Sequence, residues 1–194
     1  MRVIVGCEFS QVVTRAFRDK GHEAYSCDLL PTEGNPAWHF QEDILELLKR
    51  ERFDLAIFHP PCTHLAVSGA RWFKDKTDEQ INALEFVGKL LASPPPKIAL
   101  ENPISIISSK IRKPDQVIQP WMFGHGETKA TCLWLKDLPK LMPTHKKNDL
   151  FLAEEPEERE ARIHMMPPGP NRWKERSRTF TGIAKAMADQ WGAL

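Results

Sequence analysis

Apolar runs and amphipathic runs alternate through the first hundred residues. Residues 2–7, Arg-Val-Ile-Val-Gly-Cys, are a short β-branched run that predicts a strand. Ser10 then stands as the expected N-cap of a helix over 12–20, which Gly21 closes. Residues 23–27 predict a second strand ending at Asp28, and Ile44, Leu45, Leu47 and Leu48 give residues 44–50 helical spacing. Residues 53–58 are apolar enough for a strand buried on both faces, and they stop at Pro60-Pro61. Thr77 and Gln80 form a capping box for a helix whose apolar stripe is Ile81, Leu84, Val87 and Leu91. Pro94-Pro95-Pro96 ends that helix ahead of a fourth strand at 97–100.

This alternation predicts βαβ units, and so an α/β fold with a mostly parallel sheet and helices on both faces. A later strand is expected over 128–135 and a closing helix over 181–191. Between them, residues 136–170 are rich in proline and charge, with Glu154-Glu155-Pro156-Glu157-Glu158 near the centre. That segment reads as a loop or lid rather than a second domain.

Composition narrows the picture. A chain of 194 residues has the length of one domain with a real core. Its 27 Lys and Arg against 26 Asp and Glu exclude a histone-like basic protein and an acidic tail, but not a local nucleic-acid patch. The start of the chain reads as a strand rather than a signal peptide, and no apolar run is long enough for a membrane helix. A soluble, cytoplasmic protein is expected. Cys7, Cys27, Cys62 and Cys132 are scattered without a C-x-x-C pair, which suggests neither a zinc knuckle nor a disulfide framework.

Ligands of an open parallel sheet bind at the carboxyl ends of its strands. Those ends carry Gly6-Cys7-Glu8-Phe9-Ser10, Asp28, His59-Pro60-Pro61-Cys62 and Glu101-Asn102-Pro103. Asp28 lies 22 residues past Gly6, the distance at which an acid after the second strand meets a ribose hydroxyl. The full glycine fingerprint that brings backbone up to a pyrophosphate is absent. A nucleoside cofactor without phosphate, such as S-adenosylmethionine, needs no such glycines. Two prolines hold Cys62 rigidly at a strand end, and a thiolate there is a strong nucleophile. Glu101, also braced by a proline, would hold or give a proton beside it. Each residue has a structural reading as well: a turn acid for Asp28, a partly buried thiol for Cys62, a loop acid for Glu101. His59, Cys62 and His64 invite a metal reading, but the prolines restrict their convergence and no further Cys/His pair stands at ligand spacing.

The order Gly6-Cys7-Glu8-Phe9-Ser10, Asp28, Asp43-Ile44, Pro61-Cys62, Glu101-Asn102 resembles the catalytic half of the cytosine-specific DNA methyltransferases that act at carbon 5. The resemblance implies a Rossmann-like S-adenosylmethionine-dependent methyltransferase fold, with 1–194 as one methyltransferase-like domain. It implies a cofactor site drawn from Gly6, Glu8, Phe9, Ser10, Asp28, Leu29, Asp43, Ile44 and Pro61. Cys62 would be the nucleophile and Glu101 the acid. Where the family has a Gln-x-Arg-x-Arg strand, Lys129 stands nearest, and it joins the implied catalytic set. Asn102, Arg176 and Arg178 are implied as substrate-binding residues, and no metal is implied. The chain has Thr63 where the family has Gln after the cysteine, and residues 136–170 are too short for the family's target-recognition domain. A compact phage or prophage member is therefore implied.

The chemistry requires these residue types. Cytosine is too poor a nucleophile at carbon 5 to take a methyl group. A thiolate added to carbon 6 makes carbon 5 nucleophilic, and a carboxyl at ring nitrogen 3 stabilises the developing charge. The expected substrate is DNA or a cytidine nucleotide. A catalytically inactive S-adenosylmethionine or nucleic-acid binding protein of the same fold is the alternative, and an unrelated Rossmann-like enzyme is the third reading. The basic run Arg172-Trp173-Lys174-Glu175-Arg176-Ser177-Arg178 offers a stacking ring among cations, or a solvated turn.

Overall fold

The computed structural model describes residues 1–68, 77–144, 160–170 and 172–194. These contain a seven-stranded sheet of β1 (Arg2–Gly6), β2 (Glu23–Asp28), β3 (His39–Gln41), β4 (Leu55–Phe58), β5 (Lys97–Pro103), β6 (Gln116–Ile118) and β7 (Thr131–Lys136). The order across the sheet is β3-β2-β1-β4-β5-β7-β6. The first five strands pair in parallel, and β7 runs antiparallel to both β5 and β6.

Strand residues alternate between two cores, as a pleat covered on both faces must. Val3, Val5, Leu55 and Ile57 face α1 (Val12–Asp19) and α7 (Thr181–Trp191), where Phe17, Met187 and Trp191 are fully buried. Ile4, Ala56 and Phe58 face α2 (Ile44–Arg50), α3 (Thr77–Leu91) and α4 (Ile107–Lys110), through Leu47, Val87, Leu90 and Ile107. The fold is Rossmann-like, doubly wound and mostly parallel. Two short helices, α5 (Arg162–Met165) and α6 (Arg172–Ser177), precede α7.

Several sequence expectations shift. The helix expected from Ser10 starts at Val12 after Gln11, which makes no side-chain cap. Glu8 caps it instead, accepting from Val13 N at 2.7 Å and Thr14 N at 3.2 Å. Glu101 is not at a strand end, because β7 pairs along β5 as far as Pro103 and keeps the strand extended past its β4 neighbour. Lys129 precedes β7, since its amide bonds the Gln119 side chain rather than a neighbouring strand. On α3 the buried positions are Val87 and Leu90, whereas Ile81 is half exposed. The acidic run at 154–158, with residues 145–159 of the expected loop or lid, lies outside the described residues.

Candidate active site

The sheet grows away from β1 on one side and from β4 on the other, so the crevice at their carboxyl ends is the switch point where such folds bind ligands. The turn after β1 is built tightly. A Cβ on Gly6 would stand 2.8 Å from Phe58 and 2.9 Å from Ile44, so only glycine lets strand and helix approach. Cys7 adopts a left-handed φ of 59°, and its buried thiol is pushed well above the ordinary range by burial, then by Asp28. Phe9 is pinned through its carbonyl by the Glu33 amide at 2.9 Å and the Thr32 hydroxyl at 2.9 Å. Its ring meets Trp173 of α6 at 5.7 Å.

A cavity of about 30 Å³ lies here, lined by Cys7, Glu8, Phe9, Ser10, His59, Ser177 and Thr179. From it the sheet edge opens outward past Asp28, half-buried, and Leu29, which is 73% exposed. Burial raises the Asp28 carboxyl above its usual value, opposed by the Leu30 amide it accepts from at 2.9 Å. Asp43 caps α2 by accepting from Leu45 N at 2.8 Å and remains exposed, while Ile44 is buried behind Gly6.

Beyond β4, the loop His59-Pro60-Pro61-Cys62 carries a free cysteine, exposed as a residue while its sulfur is partly shielded by the groups around it. Backbone bonds fix the loop: His59 N donates to Gly6 O at 3.0 Å, and Val67 N donates to Ile104 O at 3.1 Å. The Asn102 amide donates to Pro60 O at 2.9 Å from below. Asn102 is 1% exposed. Of the residues expected to bind substrate, Asn102 is the one placed beneath the loop as a brace.

Glu101 reaches the same edge from β5, and its Oε2 lies 2.7 Å from His59 Nδ1. Burial pushes its carboxyl up, but the hydrogen bond and charge of His59, with Lys129, outweigh burial and hold it below the ordinary value. The Cys62 thiol is raised by burial and by the Glu101 charge, and drawn down in part by Lys129 and Arg176. Cys62, Glu101, Lys129 and Arg176 thus share one electrostatic neighbourhood. Lys129 Nζ donates to Arg176 O at 2.9 Å, tying the approach to β7 to α6. Arg178 lies at the edge beside the β1 turn: it pairs with Glu33 at 2.6 Å and sits 5.9 Å from the Phe9 ring.

The sequence reading missed three parts. His59 entered it only as a metal candidate, yet its Nδ1 is engaged by Glu101 and its buried Nε2 has no partner. Ser177 and Thr179 close the cavity from the far end of the chain. Gln11, fully buried, fastens the segment before β3 by bonding Asn35 N at 2.7 Å and Asn35 O at 2.9 Å. Among the described residues, no group of three or more His, Cys, Asp or Glu is placed to hold a metal ion, and no helix is long and apolar enough to cross a membrane.

Fold and site together define a Rossmann-like α/β protein with a thiol and a paired carboxyl at its switch-point edge. No protein-family profile and no curated protein matches the chain. A solved structure from E. coli, described as a "putative DNA modification methyltransferase encoded within prophage", is similar at a TM-score of 0.50 and 17% identity. The match covers 77% of this chain and 52% of that one, so the chain spans about half the length of the structure it matches. At that identity the likeness bears on the fold.

Proposed function

We propose that the chain is an S-adenosylmethionine-dependent methyltransferase acting at carbon 5 of cytosine, in DNA or a cytidine nucleotide, through a covalent bond to Cys62. The observation that carries this reading is the Asn102–Pro60 hydrogen bond, which joins the loop of Cys62 to the strand of Glu101 at the switch-point edge, with Lys129 and Arg176 near enough to act on the thiol by charge. The neighbour's description as a DNA modification methyltransferase supports DNA as the polymer.

The residues fit the cofactor. The hydroxyls of Ser10, Ser177 and Thr179 around the small cavity suit the cofactor's polar amino-acid end, and the edge past Asp28, Leu29 and Asp43 is open to its nucleoside. The cofactor supplies an electrophilic methyl group on a sulfonium sulfur. Asp28 would accept from the ribose hydroxyls. Pro60 and Pro61 hold Cys62 for attack on carbon 6, Lys129 and Arg176 favour its thiolate, and Glu101 meets ring nitrogen 3.

The basic run on α6 is largely engaged. Arg172 bonds Met166 O at 2.8 Å, and Lys174 and Arg178 both face Glu33. Arg176 remains directed by its charge toward Cys62. Labelled S-adenosylmethionine offered with duplex DNA, single strands and cytidine nucleotides identifies the substrate. A 5-fluorocytosine analogue should trap the protein through Cys62, and Cys62→Ala should abolish the adduct and lower turnover at least ~10³-fold. Near-normal turnover by Cys62→Ala defeats the covalent reading.

A further inference from the structure

The side of Glu101 away from the base is occupied by a residue the family resemblance does not supply. His59 Nδ1 and Glu101 Oε2 are 2.7 Å apart, with side chains 8% and 11% exposed. Lys129 and Cys62 face the same carboxyl, and Cys132 of β7 feels its charge. His59 also lines the cavity walled by Cys7, Glu8, Ser10, Ser177 and Thr179, and its buried Nε2 has no partner.

Ring nitrogen 3 of cytosine is a hydrogen-bond acceptor, so the group that meets it must donate. A carboxylate cannot, having acceptors only. Held below its ordinary pKa, Glu101 stands in that ionised form. A proton must therefore reach it from a neighbour, and the nitrogen at 2.7 Å is placed to give one.

We propose that His59 is a positioning residue that stores a proton for Glu101 and releases it to the carboxyl when cytosine enters. This rests on the cytosine reading above. The step balances as follows. The proton passes from Nδ1 to the carboxylate, leaving a neutral imidazole. The protonated carboxyl turns its O–H to nitrogen 3. Cys62 gives its thiol proton to water and forms a bond to carbon 6. The electron pair of the carbon 5–carbon 6 double bond moves between carbons 4 and 5, the carbon 4–nitrogen 3 pair moves onto nitrogen 3, and nitrogen 3 takes the proton. Carbon 5 then takes the methyl group as the methyl–sulfonium bond breaks with its pair staying on sulfur, which leaves a neutral thioether. Carbon 5 loses its own proton to water. The carbon–sulfur bond then breaks with its pair returning to sulfur, and the nitrogen 3 proton returns through Glu101 to His59.

The test is His59→Asn, whose amide can still donate to Oε2 but stores no proton. Single-turnover methylation of cytosine DNA is compared between variant and wild type from about pH 6 to about pH 9. The Cys62 ionisation is measured in both proteins from the pH dependence of iodoacetamide modification and divided out of the ratio. A proton store predicts that the variant-to-wild-type ratio falls as pH rises, by up to about tenfold per unit, because the pair keeps one shared proton to a higher pH than a lone carboxyl does. A ratio constant with pH shows a purely structural part for His59 and overturns the proposal. Faster methylation of uracil than of cytosine also overturns it, since a ring N–H wants an ionised acceptor. If the wild type methylates no cytosine, the base assignment fails separately, and proton NMR decides on the pair. A downfield Nδ1–H signal that moves upfield in Glu101→Gln supports the shared proton, and an unmoved signal overturns it.

Discussion

The side-chain amide of Asn102 donates to the carbonyl of Pro60 at 2.9 Å, joining the strand that carries Glu101 to the loop that carries Cys62. One buried bond thereby sets the distance between the two groups on which the proposed chemistry depends. Asn102→Ala would strand the Pro60 carbonyl, and a destabilisation of about 1–3 kcal/mol is expected in urea unfolding. Asn102→Asp, which offers an acceptor to an acceptor, should be worse. Equal stability of all three proteins would show that the loop holds itself.

The thiol environment can be read without substrate. Cys62 is exposed, Cys7 is partly buried, and Cys27 and Cys132 are buried, with the Cys27 thiol pushed up to about 12. Iodoacetamide should therefore modify Cys62 first. Its raised pKa means little thiolate at neutral pH, so the rate should climb by about tenfold per pH unit up to that pKa. At fixed pH, Lys129→Gln should slow the reaction and Glu101→Gln should speed it. The opposite order would remove these residues from the thiol's surroundings.

Asp28 is expected to hold the cofactor ribose. Asp28→Ala should weaken S-adenosylmethionine binding by about 1.5–3 kcal/mol in calorimetry. Because burial raises the carboxyl of Asp28, the wild-type affinity should begin to fall on acidification at a pH above the ordinary aspartate value of about 3.9. Unchanged affinity in the folded variant would place the ribose elsewhere.

The Glu8 cap gives a stability prediction. Its carboxylate accepts from Val13 N, Thr14 N and the Thr14 hydroxyl in a buried setting. Glu8→Ala should cost about 2–3 kcal/mol of unfolding free energy, and Glu8→Gln, which retains one oxygen, less. A loss under about 0.5 kcal/mol for the alanine variant would mean that water replaces the cap.

What the sequence made legible follows from length and sign of pattern. Strands buried on both faces, such as Leu55–Phe58, are continuous apolar runs, and α2 and α7 stand where their periodicity placed them. His39–Gln41 and Gln116–Ile118 carry no period in three residues. They are strands because Ser26–Asp28 and Thr131–Leu133 pair with them. The His59–Glu101 contact joins residues 42 positions apart, so nothing in the sequence around either residue announces it. Glu8 reaches forward five and six residues to cap α1, which no local capping pattern describes. Ser177 and Thr179 meet the β1 turn only through the closure of the fold by α6 and α7.

The cap on α1 also decides what the helix start can seat. An uncapped helix start beside the switch point is a ready seat for phosphate, since its free amides and dipole draw anions. In this molecule Glu8 already occupies that seat with a negative charge of its own, buried to 5% exposure. The amides that would seat a pyrophosphate at the β1 turn are already taken by a side chain of the same molecule, so the turn after the first strand closes on itself where a nicotinamide-binding protein leaves its helix start open.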